Sequence, residues 1–137
     1  MISENQFHTE LLELKKRALE NKWLVACLCA AWCDTCDAYR PPFEALMPQH
    51  QDKSFVWIDI EDHAVLVDEV DIDNFPTILV EFNQRVLFFG TMLPDVSQLH
   101  RLLVSLQASV EDKEQHGVHA STAPVGWSLQ KKLAELT

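Results

Sequence analysis

The sequence predicts an α/β domain on a mixed central sheet of about four strands flanked by helices. Three observations carry that expectation. Apolar runs alternate with stretches of helical period along most of the chain. The run WLVACLCA, 23–30, is apolar throughout, as a strand buried on both faces must be. Finally, TILVEF (77–82) and RVLFFG (85–90) are separated only by Asn83 and Gln84, the spacing of a hairpin, although the usual glycine is absent.

The elements follow in order. Phe7, Leu11, Leu14 and Ala18 recur on one helical face, with Glu10, Glu13, Lys16 and Arg17 elsewhere on the cylinder, so an amphipathic helix ends near Asn21. After the strand at 23–30, a second helix starts at the cysteine segment and runs to about Met47, with a kink expected at Pro41 and Pro42. SFVWIDI (54–60) reads as a second strand, parallel to the first, and 63–70 as a short helix. The hairpin adds an antiparallel edge, and Leu99, Leu102, Leu103 and Leu106 mark a final helix beginning near Pro94 or Asp95. Periodicity then fades, which sets a domain at 1–107. The remaining 108–137 reads as a linker and a short amphipathic helix, Trp127 to Leu136.

Composition limits the partners. Eleven basic and 21 acidic residues leave a net charge of -10, which repels phosphate backbones and anionic lipid alike. Neither nucleic acid nor membrane is an expected partner. The amino end mixes charges and lacks an unbroken apolar stretch, which predicts a cytoplasmic protein, where oxidised structural frameworks do not normally persist. Apolar residues at 47 % and charged ones at 23 % are the balance of one packed domain.

All four cysteines, Cys27, Cys29, Cys33 and Cys36, fall within ten positions, too close together to staple distant parts of a chain. They are exchangeable thiols, metal ligands or small apolar filling. Four soft ligands suit zinc or an iron–sulfur cluster, but residues two apart on a strand face one side, and zinc frameworks usually present two turns separated by a longer loop. No metal is therefore expected, and Cys27 and Cys29 read as buried core residues. His116 and His119 flank Gly117 in a linker-like setting and are weak ligand candidates.

Trp32-Cys33-Asp34-Thr35-Cys36 directly after an apolar strand, Pro41 beyond it, Phe75-Pro76-Thr77 before the hairpin and Gly90 at its end together resemble the thioredoxin family. The resemblance covers roughly Trp23 to Leu106. It implies a thioredoxin-like fold, here with the first strand of typical thioredoxins missing, because no room precedes the first helix. It also implies a cis Pro76 beside the thiols, with Phe75, Trp32 and Gly90 lining a substrate groove. The family's glycine and proline between the cysteines are Asp34 and Thr35 in this chain. Its buried Asp and Lys near the thiols are replaced by Cys27 and Trp57, so release of mixed disulfides is expected to be slow, assisted by water or Glu61.

The residues themselves support thiol exchange. A sulfur at a helix start meets unpaired N–H groups and the positive end of the helix dipole, which favour the nucleophilic thiolate. A second cysteine one turn later can attack a mixed disulfide formed by the first. Cys33 is accordingly the expected nucleophile and Cys36 the resolving thiol, cycling through a Cys33–Cys36 disulfide with no bound cofactor. Asp34 and Asp37 oppose this tuning: a carboxylate about 4 Å from a thiolate costs ~1 kcal/mol in water, comparable to the ~0.3–1 kcal/mol from an exposed helix terminus. The expected function is a thiol–disulfide oxidoreductase acting on protein disulfides with an unidentified electron donor or acceptor. The alternative is a thioredoxin-like interaction module with incidental redox activity, its tail available for self-association.

Overall fold

Seven consecutive buried residues, Trp23–Cys29, form β1, an interior strand of the sheet. The structure, a computed structural model, describes residues 4–72, 74–111, 120, 121, 124 and 126–136. Its elements are α1 (Glu4–Ala18), β1 (Trp23–Cys29), α2 (Asp34–Ala45), a 3-10 turn (Met47–Gln49), β2 (Lys53–Asp59) and α3 (Ala64–Val67). There follow β3 (Thr77–Phe82), β4 (Arg85–Thr91), α4 (Val96–Glu111), β5 (Ala120–Ser121) and α5 (Leu129–Ala134). The strand order is β2-β1-β3-β4-β5. β1 runs parallel to β2 and antiparallel to β3, β3 and β4 form the hairpin, and the two-residue β5 lies parallel to β4. The four long strands make the mixed sheet expected from the sequence.

Alternation along β1 divides the core. Leu24, Ala26 and Leu28 face a layer built from α1, α3 and α5, where they meet Leu11, Ala18, Leu66, Trp127, Leu129 and Leu133. Val25, Cys27 and Cys29 face α2 and α4, against Tyr39, Phe43, Leu99 and Leu103. Leu11 and Ala18 thus occupy the apolar stripe assigned to α1, while the side chain of Phe7 lies outside the described residues. α2 continues through Pro41 and Pro42 to Ala45, because helical contacts of Tyr39 and Phe43 with the sheet face span the two missing N–H groups.

The carboxyl-terminal region carries the short helix expected between Trp127 and Leu136. α4 extends past Gln107 to Glu111. Residues 112–119, with His116 and His119, lie outside the described residues. α5 is no appendage: Trp127, Leu129 and Leu133 are buried in the same core as β1, and Trp127 stands edge-on to Phe89 at 5.8 Å. The apolar spacing of Leu129 and Leu133 was visible in the sequence. The feature that anchors them was not, because it lies on a strand 47 residues earlier.

That anchor is Glu81, wholly buried on β3. Its Oε2 accepts the backbone N–H groups of Leu129 (2.9 Å) and Gln130 (3.3 Å), and the Ser128 hydroxyl donates to its Oε1. Ser128 in turn caps α5 by accepting from the Lys131 N–H. The orphan donors of the helix start are thus satisfied from the sheet rather than by water. Gln130 extends the clasp to the hairpin. Its side-chain oxygen accepts the Gln84 N–H at 2.6 Å and its amide donates to the Lys22 carbonyl at 3.0 Å. This accounts for a tight turn without glycine: Asn83 and Gln84 both have positive φ, 54° and 67°, and α5 together with Lys22 holds them there.

Two outcomes are expected. Trp127→Ala leaves a cavity beside Phe89 and lowers unfolding stability by about 3–5 kcal/mol, measured by urea denaturation. Burial outweighs the hydrogen bonds at Glu81 and raises its pKa to about 7. The native state therefore binds more protons than the unfolded chain between the ordinary carboxyl value and about 7, so this group's contribution falls as pH rises through that window. Relative to Glu81→Gln, the native protein should lose up to about 3 kcal/mol between about pH 5 and pH 8. Parallel stability profiles for the two proteins would refute this linkage.

Candidate functional site

The sheet register collects the expected site residues at one edge. Leu28 of β1 faces Thr77 of β3, and Ile78 and Thr77 face Gly90 and Thr91 of β4. The carboxyl end of β1, the segment before β3 and the end of β4 therefore lie together. The Phe75–Pro76 peptide is cis, and the Pro76 carbonyl accepts the Met92 N–H at 3.2 Å. Thr77 fixes the segment from the other side by donating its hydroxyl to the Asn74 carbonyl at 2.6 Å.

β1 ends at Cys29 and α2 begins at Asp34, so the helix starts directly over the strand that feeds it. The Cys33 N–H donates to the Ala30 carbonyl at 3.0 Å, and the Cys33 carbonyl accepts from the Asp37 N–H at 3.1 Å, closing the first helical turn. Cys33 is the extended N-cap residue, with φ -92° and ψ 115°, and its thiol makes no capping hydrogen bond. It is a free, half-buried cysteine against the apolar cluster of α2 and α4. Asp34 and Thr35 are exposed beside it.

The disulfide is not the one expected. Cys36 is bonded to Cys29, with Cα atoms 5.9 Å apart, rather than to Cys33. The reason is the direction each residue faces. Cys36, Tyr39 and Phe43 form the buried face of α2, and Cys29 projects from β1 toward that face, so both bonded sulfurs are buried. Cys33, at the cap, stands outside this contact. Cys29 is thus a member of the thiol cluster and not merely core filling. Two signals in the sequence pointed to it: the i, i+2 spacing of Cys27 and Cys29 puts both on one face of β1, and the short link to α2 folds Cys36 back over that face.

Cys27 remains a free thiol whose sulfur lies 3.7 Å from that of Cys29. Burial pushes its pKa well up, only partly opposed by the charge of Arg40. It is therefore a neutral neighbour and not a base. Trp57 pairs with Cys27 in the sheet register. Its ring lies beneath the Arg40 guanidinium, 5.1 Å from the ring centre, and edge-on to Phe43. Nothing in the spacing of the chain marks Arg40, yet its guanidinium lies over Trp57 and its charge acts on Cys27.

Trp32 is two-thirds exposed at 67 % and packs edge-on against Phe75, with ring centres 5.6 Å apart. Its indole N–H donates to Glu61 Oε1 at 2.6 Å, so Glu61 positions the tryptophan. Gly90 sits at the same edge. A Cβ there would lie 3.7 Å from Phe88, an ordinary contact, so internal packing alone does not require glycine. Among the described residues, no group of three or more His, Cys, Asp or Glu side chains is arranged to hold a metal ion.

Comparison with known proteins agrees with this fold. The thioredoxin family model matches residues 1–90. A thioredoxin of Mycoplasma genitalium is 30 % identical over 71 residues, covering 52 % of this chain and 64 % of that protein. An H-type thioredoxin of Brassica oleracea is 31 % identical over 67 residues, covering 49 % of this chain and 54 % of that protein. The chain therefore spans less than two thirds of the length of these curated relatives. Among solved structures, oxidised mitochondrial thioredoxin 3 of Saccharomyces cerevisiae superposes with a TM-score of 0.57 at 22 % identity, covering 71 % of this chain and 88 % of that one. The germline-specific thioredoxin Deadhead of Drosophila melanogaster gives 0.59 at 19 % identity, covering 76 % and 94 %. With its mixed sheet, its cysteines at the start of α2 and a family match across residues 1–90, more than half of its length, the chain belongs to the thioredoxin family.

Proposed function

We propose that the protein is a thiol–disulfide oxidoreductase acting on protein disulfides, with Cys33 as the attacking thiol and Cys36 as the residue that resolves the mixed disulfide. The observation that carries this reading is the free Cys33 at the N-cap of α2, one turn from a cysteine already engaged in a disulfide. Cys33 stands at the unpaired N–H groups of the first turn, and the thiolate is the species that attacks a disulfide. Starting from the protein with Cys29, Cys33 and Cys36 all reduced, Cys33 first attacks a substrate disulfide and releases one substrate thiolate. In the second step, Cys36 attacks the Cys33 sulfur and releases the other.

Trp32 and Phe75 supply an apolar wall at this edge, and the Phe75 backbone would pair with an extended substrate segment by strand addition. Gly90 adds no side chain to that edge. The electron donor or acceptor is a thiol or disulfide partner, and the cell compartment proposed is the cytoplasm. A second reading, an interaction module that holds partners covalently, is favoured by one observation: Cys36 is bonded to Cys29 and so is not free to resolve.

Turnover separates the two. With insulin as disulfide substrate and dithiothreitol as reductant, the native protein should accelerate insulin reduction, and Cys33→Ser should lose that acceleration by two orders of magnitude or more. Trp32→Ala should raise KM about 5- to 30-fold with little change in kcat, the effect of removing a ~1–2 kcal/mol aromatic anchor. Insulin reduction that survives Cys33→Ser unchanged would refute the assignment.

A further inference from the structure

We propose that Cys29 is a third exchanging thiol, and that the oxidised protein passes its disulfide inward from Cys33–Cys36 to Cys29–Cys36, leaving Cys33 free. The proposal rests on the oxidoreductase reading above and extends it by one intramolecular step. Three facts lead to it: Cys36 lies on the buried face of α2, its bonded partner is Cys29, and Cys33 is an unbonded thiol at the mouth of the same cluster. Cys36 is thus the common member of two cysteine pairs, one reaching the surface and one enclosed.

The step balances without any further reagent. After substrate has been reduced, Cys33 and Cys36 share a disulfide and Cys29 is a thiol. The Cys29 thiol gives up its proton and its sulfur attacks the Cys36 sulfur. The Cys29–Cys36 bond forms as the Cys33–Cys36 bond breaks, and Cys33 leaves as a thiolate at the start of α2, where it stays ionised or takes up the proton. No electrons enter or leave during the transfer. Over the whole sequence two electrons pass from Cys29 and Cys36 to the substrate disulfide, and Cys33 returns to its starting state.

The surroundings set direction and speed. The thiolate released is placed at a helix N-terminus in contact with solvent, whereas the new bond is enclosed, with Cys29 and Cys36 each only 1 % exposed. An external thiol cannot reach that bond directly. It is opened by the reverse step, in which the Cys33 thiolate attacks Cys36 and restores the surface disulfide for an external dithiol to reduce. A thiol among apolar side chains ionises reluctantly, so the inward transfer is slower than the two steps at the surface. Transfer ends at Cys29, because the adjacent Cys27 is held protonated and a neutral thiol is a poor nucleophile. While the bond is inward, Cys33 can attack another disulfide but Cys36 is occupied, so a mixed disulfide on Cys33 persists.

The test uses the full, reduced chain. One equivalent of insulin is added, and free thiols are blocked with a maleimide at increasing times. The protein is then unfolded and cleaved with chymotrypsin, which cuts after Leu28 and Trp32 and so separates Cys29 from Cys33 and Cys36. The expected result is an early Cys33–Cys36 fragment replaced by a cross-linked pair carrying Cys29–Cys36 and a maleimide on Cys33. In Cys33→Ser, formation of Cys29–Cys36 by insulin should slow at least on the order of tenfold, because the enclosed pair is reached only through Cys33. If the native protein reduces insulin and stops at Cys33–Cys36, the relay is overturned while the oxidoreductase reading stands; if Cys33→Ser forms Cys29–Cys36 equally fast, the relay falls together with the role of Cys33 as the attacking thiol. Absence of any reaction with insulin overturns the oxidoreductase reading and the relay with it.

Discussion

The structure depends on the contact between the last turn of β1 and the first turn of α2. A fully buried strand delivers Cys29 to the edge of the sheet, and the short link from Ala30 to Cys33 leaves the helix no room to start anywhere but above it. That single constraint fixes three things together. It aims the unpaired N–H groups of the helix start at the surface edge where Cys33 sits. It turns Cys36 inward onto Cys29, and it brings the cis Phe75–Pro76 segment alongside, because β3 begins opposite the end of β1. Chemistry at the surface and bonding in the core are therefore two consequences of one packing arrangement.

The opposite face of the sheet is covered by three helices. α1 and α3 cover part of it, and α5 completes the layer. A carboxylate buried on β3 is costly by itself, yet Glu81 receives the hydroxyl of Ser128 and two N–H groups of α5, and the helix receives a cap. The same helix supplies Gln130 to the β3–β4 turn. The end of the chain thus stabilises the hairpin whose other end borders the thiols, linking the tail to the geometry of the site.

Much of this was legible in the residues, and what was not has definite physical causes. The unbroken apolar run of β1, the stripe of Leu11, Leu14 and Ala18 on α1 and the hairpin spacing each report a local period, so the order and type of the elements through α4 could be read directly, whereas the two-residue β5 has no such period. The joint pattern of Trp32, Cys33, Cys36, Pro76 and Gly90 carried the family. Glu81 could not be assigned, since an acidic residue within TILVEF is explained only by the cap 47 residues later. The bond between Cys36 and Cys29 could not be read for a related reason. Spacing along the chain favoured Cys33, whereas the direction of the buried helical face favoured Cys29, and only the relative placement of strand and helix decides between them. The role of Arg40 over Trp57 is likewise a matter of three-dimensional proximity.

The central claim, that Cys36 is shared between an outer and an inner partner and rests with the inner one, can be read residue by residue in solution. Carbon-13 chemical shifts of the cysteine Cβ atoms separate thiols from disulfides, and four assigned signals in the fully oxidised protein suffice. The account predicts disulfide shifts for Cys29 and Cys36 and thiol shifts for Cys27 and Cys33. Disulfide shifts for Cys33 and Cys36, with Cys29 remaining a thiol, would contradict it.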